Sequence, residues 1–268
     1  MQHIDIEKIL RSRTERYIPR MAFNYLRRII HESQINDILR TGDGMNPHDF
    51  IGHVLRELNV TYEIIGLQPL SADRRYIFAS NHPFGGLDGM IIAKCMLDMG
   101  FDTGVVVNDM LMHIDQLRPL WIPVNKYGRQ RSENSLSYEA AFASPTKQIL
   151  TFPAGFCSRK EGGKVTDTEW RPRFVKDAVK YDRQIVPVYV EGQLSKRFYR
   201  IYSIRKMLHI NINIELLYLV DEMFRQSGKH IRIHFGTPID NVRLSGNTQA
   251  DCQLVRQAVY SLTDKLKK

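Results

Sequence analysis

His82 and Asp88 lie six positions apart in the stretch Asn81 to Gly89, N-H-P-F-G-G-L-D-G, which sets a base, a carboxylate and three glycines on one short segment. Histidine is the side chain that gains and loses a proton near neutral pH without a large shift, and a carboxylate beside it can act as the orienting partner of a general base. Along a continuous α-helix six residues amount to about 600° of rotation, which would point the two side chains to different sides. They can meet only if the chain turns between them. Pro83 disfavours a helical conformation at His82, and Gly85 and Gly86 admit backbone angles that other residues avoid, so the intervening residues suit such a turn. Asp88 would then stand near the start of a following helix, where carboxylates are favoured for local reasons. Taken alone, the stretch accommodates an acid–base pair or a turn with a helix cap.

The flanks predict a strand, a turn and a helix. Tyr76 to Ser80 is strand-like, and an apolar-periodic segment runs from Met90 to Met99. Upstream, the Gly42/Gly44 pair and Asn46-Pro47 punctuate the chain before a helix with apolar Phe50, Ile51, Val54, Leu55 and Leu58. Short β-like runs then alternate with helical ones: 60–67, 76–80, 104–107, 121–124, 148–152, 185–190 and 230–235, with a helix expected over 216–226. Such alternation predicts an α/β fold, a mostly parallel or mixed sheet flanked by helices, with ligands at strand ends.

At 268 residues and 43% hydrophobic composition, the chain can build one large α/β domain, or one domain with an appendage. Cys95, Cys157 and Cys252 are widely spaced and odd in number, which suits a reducing compartment without disulfides. No apolar run approaches the roughly 20 residues of a membrane-spanning helix, and the N-terminus lacks the apolar core of a signal peptide. The expectation is a cytosol-facing protein. Net charge is +9, from 38 basic and 29 acidic residues. Residues 118–132 and 192–214 carry cations and no acid, which points to anionic partners, and the second stretch interleaves Phe198, Tyr199 and Tyr202. From Ala22 the apolar residues recur at 22, 25, 26, 29 and 30, an amphipathic stripe with Arg27 and Arg28 off it. That helix can pack on the main domain or lie in a bilayer interface.

N-H-P-F-G-G-L-D-G resembles the signature block of the glycerolipid acyltransferases of lysophosphatidate acyltransferase type, in which Asn-His precedes an Asp by a short fixed spacing. Here the spacing is one residue longer than is usual in that family. The departure brings the chain closer to the bacterial haemolysin-like branch, which is similar to enzymes that O-acylate lyso-ornithine and lyso-glycine lipids. Further blocks follow in order. Phe152-Pro153-Ala154-Gly155-Phe156-Cys157-Ser158-Arg159 resembles the family's F-P-E-G-T-R-S block, with Ala154 in place of the Glu and the Arg displaced to 159. Trp121 to Lys126 resembles a segment ending in a cation that helps hold the acceptor, Ile185 to Tyr189 the V-P-V block, and Phe235 to Ile239 the terminal G-x-P-I turn. The resemblance covers residues 76–239.

The resemblance implies transfer of a fatty acyl group from a thioester to the free hydroxyl of a lyso-lipid, either a lysophospholipid or a lyso-amino-acid lipid. His82 would remove the hydroxyl proton and Asp88 would fix its tautomer, by the logic of a serine triad. Candidates for stabilising the oxyanion are the backbone around Gly155, Phe156 and Cys157 or the Gly85-Gly86 turn, with Asn81 either holding the turn or touching substrate. Lys126, Arg129 and Arg159 are expected at the acceptor's anionic group, arginine offering a bidentate fork. The implied co-substrate is acyl carrier protein or coenzyme A thioester, with no bound cofactor, no nucleic acid and an anionic membrane surface as partner. The division drawn from the sequence is a helical, membrane-surface segment over 1–58 and an acyltransferase domain over 59–268, peripheral to the cytoplasmic face of the membrane.

Three rivals remain at this point. A thiol at Cys157 can complete a Cys-His-Asp triad, although the resemblance assigns no nucleophile there. A phosphoesterase using His82 and Asp88 on a metal would need ligand spacing such as H-E-x-x-H, which His48, His53, His113, His209, His230 and His234 do not show. A basic protein docking on membrane or RNA without catalysis would leave His82 and Asp88 structural.

Overall fold

A computed structural model describes residues 4–11, 19–67, 70–71, 73–108, 114–124, 132–210, 213–241 and 244–263. Its frame is a seven-stranded sheet of order β1-β9-β8-β2-β5-β3-β4, built from β1 (Thr61–Ile65), β2 (Tyr76–Ser80), β3 (Asp102–Asn108), β4 (Trp121–Val124), β5 (Lys147–Thr151), β8 (Gln184–Val190) and β9 (His230–Phe235). Every pairing is parallel except β8 with β9, so the sheet is mixed. The runs 76–80, 121–124 and 230–235 coincide with the expected strands, and the others differ at their ends by one or two residues. β2 lies between β5 and β8 with all five residues buried. β1 is an edge strand, joined to the sheet only through β9.

The alternation of side chains along a strand divides the core into two. Tyr76 and Phe78 face a core shared with helices α3 (Glu32–Thr41), α4 (Pro47–Glu57) and α5 (Leu87–Asp98), whereas Ile77 and Ala79 face α6 (Ser132–Ala143), α7 (Arg173–Lys180) and α10 (Thr248–Ser261). Asn46 caps α4 by accepting a hydrogen bond from the Asp49 N–H at 3.0 Å, with Pro47 at the first helical position. Ile38, Phe50, Ile51, Val54, Leu55 and Leu58 belong to the same buried cluster as Phe78 and Val186 of the sheet. The boundary drawn at residue 58 thus falls inside one buried cluster that α3 and α4 share with the sheet.

Helix α2 (Arg20–Ile29) buries Phe23 and Ile29 against the body of the protein, with Leu26 and Ile30 half-buried. Its apolar stripe is largely spent on packing, and the hydroxyl of exposed Tyr25 lies 2.7 Å from that of Tyr218. The expected helix at 216–226 appears as a 3-10 turn (Ile214–Tyr218) followed by α9 (Leu219–Phe224). The hairpin of β6 (Arg159–Glu161) and β7 (Lys164–Thr166) does not follow from apolar periodicity. Its signal is Gly162-Gly163, with φ of 56° and 81°, the glycine pair that a tight primed turn requires.

Candidate active site

β2 delivers Asn81 and His82 at its C-terminal end, in the middle of the sheet, where open α/β sheets bind ligands. The chain then reverses through Gly85, at φ +77°, before α5 begins at Leu87. The reversal brings His82 Nδ1 to 3.1 Å from Asp88 Oδ2. The same carboxylate accepts the backbone N–H of Phe84 at 2.9 Å and that of Gly89 at 2.9 Å, so it holds both ends of the turn. Asp88 is fully buried, and burial, the largest single influence, works against its charge. The positive character of His82, its hydrogen bond and the two amides together outweigh burial, and the carboxyl sits below its ordinary range. An ionised carboxylate only accepts hydrogen bonds, so in the neutral ring it selects the tautomer with the proton on Nδ1 and leaves the Nε2 lone pair free. The His82 ring stacks on Phe152, centroids 4.0 Å apart, which leaves a small part of it exposed.

Two sets of contacts fix this turn to its surroundings. Asn81 spends its side-chain amide on Val190 of β8, donating to the carbonyl at 3.0 Å and accepting the N–H at 2.7 Å, and so binds the end of β2 to its neighbour. Both ends of that amide serve backbone geometry. Buried Asp167 accepts the His82 N–H at 3.2 Å, the Ser158 hydroxyl at 2.6 Å and the Trp170 indole N–H at 2.9 Å, while the Ser158 N–H donates to the His82 carbonyl at 2.8 Å. Burial pushes the Asp167 carboxyl up, more than these hydrogen bonds bring it back. Asp167 and Ser158 thereby tie the backbone of the base to the 152–159 loop. No pattern around Asp167 signals this from sequence, since its partner His82 lies 85 positions away. Gly192 was likewise not foreseen: a Cβ there would lie 2.1 Å from the Phe84 ring, so glycine alone lets Phe84 seat in the turn.

The remaining expected site residues separate into different roles. Among the described residues, the N–H groups of Gly85 and Gly86 make no hydrogen bond, whereas the Gly155 N–H donates to the Phe152 carbonyl at 2.9 Å within its own turn. Phe156 and Cys157 continue that loop, and Cys157 packs against Gly85. Arg159, expected at the acceptor, points inward instead. Its guanidinium donates to the Cys157 carbonyl at 2.8 Å, lies 2.7 Å from the Cys157 sulfur and pairs with Glu215 at 3.1 Å, over the rings of Phe198 and Tyr202. Because a buried guanidinium must be balanced where it lies, Arg159 is engaged in bracing the loop. Glu215 also lies 2.8 Å from Arg205, close enough for an ion pair though not aligned as a hydrogen bond. Lys126 and Arg129 lie outside the described residues.

Cys157 lacks the setting of a nucleophile. Burial pushes its thiol up to about 11, and the nearby Arg159 only partly offsets this. Burial likewise raises Cys95 to about 12 and Cys252 to about 11. Near neutral pH the folded protein is expected to give almost no reaction with Ellman's reagent, and all 3 thiols are expected to react after denaturation. One equivalent released rapidly from the native protein, traced by peptide mapping to Cys157, would restore the thiol mechanism. Among the described residues, no three His, Cys, Asp or Glu side chains converge as they would around a metal ion.

The chain belongs to the acyltransferase family, whose model matches residues 7–268. The chain is 39% identical to the lyso-glycine lipid O-acyltransferase of Phocaeicola vulgatus over 97% of its own length and 95% of that protein. It is 37% identical to the lyso-glycine lipid O-acyltransferase of Bacteroides thetaiotaomicron, over 88% of each chain. Among solved structures, the 1-acyl-sn-glycerophosphate acyltransferase PlsC of Thermotoga maritima superposes with a TM-score of 0.50 at 15% identity, over 91% of this chain and 96% of that one, a likeness of fold.

Proposed function

We propose that the protein transfers a fatty acyl group from an acyl thioester to the free hydroxyl of a lyso-lipid whose headgroup is an amino acid, with glycine the first candidate. The observation that carries the chemistry is the 3.1 Å contact between His82 Nδ1 and buried, ionised Asp88. The names of the two relatives support the acceptor class. His82 Nε2 takes the hydroxyl proton as the oxygen attacks the thioester carbonyl. The tetrahedral oxyanion then collapses, the C–S bond breaks, and the proton passes to the leaving thiolate. Asp88 stabilises the imidazolium in between. The Gly85 and Gly86 N–H groups at the start of α5 are the oxyanion donors this reading favours, since they are unspent and sit at the positive end of a helix. The enzyme acts as a peripheral protein at the cytoplasmic face of the bilayer. Among the described residues no helix is long and apolar enough to cross a membrane.

The test is an acceptor panel. Purified protein is incubated with labelled acyl–acyl carrier protein or acyl-coenzyme A and, separately, lyso-glycine lipid, lyso-ornithine lipid and lysophosphatidate. Mass spectrometry is expected to find the diacylated product with the lyso-glycine acceptor first. Product from lysophosphatidate alone would overturn the acceptor class, and no product from any pairing would overturn the reaction.

A further inference from the structure

Helix α8 (Lys196–Met207) turns Phe198, Tyr199 and Tyr202 inward and leaves a face whose character changes along the axis. Its N-terminal half exposes Lys196, Arg197 and Arg200, while its C-terminal end and the residues beyond expose Ile204, Met207 (69%), Leu208 (58%) and Ile210, with Lys206 and His209 between them. Leu217 of the adjoining 3-10 turn is also exposed, at 52%. Isolated exposed apolar residues are ordinary, but four within seven positions at one helix end form a patch. Arg197 is drawn to Asp221 and Lys206 to Glu161, and among the described residues Lys196 and Arg200 have no acidic partner.

We propose that this end of α8 is the surface by which the protein enters the interface of an anionic bilayer, with the apolar tip among the acyl chains and Lys196 and Arg200 at the phosphates. From Arg200 to Met207 the helix rises about 10 Å, which separates the cations from the apolar tip along the axis. Each cation near an anionic surface adds attraction, and Lys196 and Arg200 are exposed with no acidic partner among the described residues. Helix α2 is the weaker anchor: it exposes Met21, but Phe23 and Ile29 are buried and the Tyr25 hydroxyl is held by that of Tyr218.

Position relative to the site supports the same occupant. The 3-10 turn carrying Leu217 leads directly into α9, whose Leu219 side chain lies against Gly85 of the catalytic turn. Arg159, on the strand that follows the 152–159 loop, rests on Phe198 and Tyr202 of α8. Docking by this end would bring the bilayer beside the elements that border His82. The choice of a lipid occupant rests in part on the lyso-lipid reading above.

The test measures binding without catalysis, so that its failure and failure of the proposed reaction are distinguishable. Wild type, Met207→Asp with Leu208→Asp, and Met21→Asp on α2 are sedimented with vesicles of phosphatidylcholine containing a minority of phosphatidylglycerol. Circular dichroism first checks that each variant is folded, as expected for exposed positions. The double variant is expected to lose about tenfold or more in vesicle partitioning while Met21→Asp stays near wild type, and high salt is expected to weaken wild-type binding. Unchanged sedimentation of the double variant, loss confined to Met21→Asp, or absence of wild-type binding would each overturn the proposal. So would a wild-type dimer in sedimentation equilibrium that the double variant abolishes.

Discussion

His82→Ala is expected to lower kcat/KM for acyl transfer by about 10²–10⁴-fold, the usual contribution of a positioned general base. Asp88→Asn is expected to fall in the same range, because an amide in place of the carboxylate no longer enforces the Nδ1–H tautomer or balances the imidazolium. The two changes together are expected to cost little more than either alone, since they disable one unit. The carboxyl of Asp88 is held below its ordinary range, so its charge persists throughout neutral and mildly acid pH. Whatever stability that charge contributes is present above the ordinary carboxylate range and is lost only as pH falls through the lowered value. Mild acid should therefore not reproduce any loss of stability that Asp88→Asn causes. Because the His82 ring also packs on Phe152, His82→Gln serves as a companion with a filled site. If both His82 variants turn over within about threefold of wild type while remaining folded, the general-base assignment fails.

Glu215→Ala is expected to have the largest effect on stability. Glu215 is fully buried between Arg159 and Arg205, whose side chains are themselves 4% and 14% exposed. Removing one partner leaves uncompensated charge in a site that cannot hydrate it, a loss of about 3–5 kcal/mol. For chains approaching this size each kcal/mol moves Tm by roughly 2–4 °C, which places the expected drop on the order of 10 °C. The change also removes what holds the Arg159 guanidinium in place beneath Cys157, so acyl transfer should weaken even below the new Tm. Pairing Glu215→Leu with Arg159→Met is expected to recover part of the lost stability, because one orphaned charge leaves together with its partner. A melting curve for Glu215→Ala that overlays wild type would show that the pair contributes nothing.

The turn from His82 to Asp88 was legible because its constraints are local. Pro83, Gly85 and Asp88 limit the chain within a few residues, and the buried run of β2 announces its own end at Asn81. The strands were legible for a similar reason: short β-branched and aromatic runs, bounded by Gly, Pro, Asn and Ser, leave few alternatives. The supports of the turn were not legible. Asp167, Gly192 and Val190 meet it only through the sheet topology, and neither period nor spacing encodes a partner 85 or 109 positions away. Arg159 misled for the opposite reason. A cation in a ligand-rich block suggests an anion to bind, but the sequence does not display that the anion is Glu215, 56 positions on. The hairpin that begins at Arg159 had a signal in Gly162-Gly163, hidden by strands of only three residues each, the first of them charged throughout.

The sheet closes late. β1 has β9 as its one neighbour, and the facing residues Thr61 and His230 are 169 positions apart. At common rates of synthesis a ribosome needs roughly ten to thirty seconds to cover that distance, and throughout it the first strand made has no edge to join. Its composition suits such a wait: Thr61 and Glu63 turn outward and the charge of Glu63 discourages pairing with a stranger's strand. A nascent chain can thus gather α4, β2 and α5 around the His82–Asp88 turn while β1 stays unpaired, and the arrival of β9 seals both β1 and the outer flank of β8 in one step.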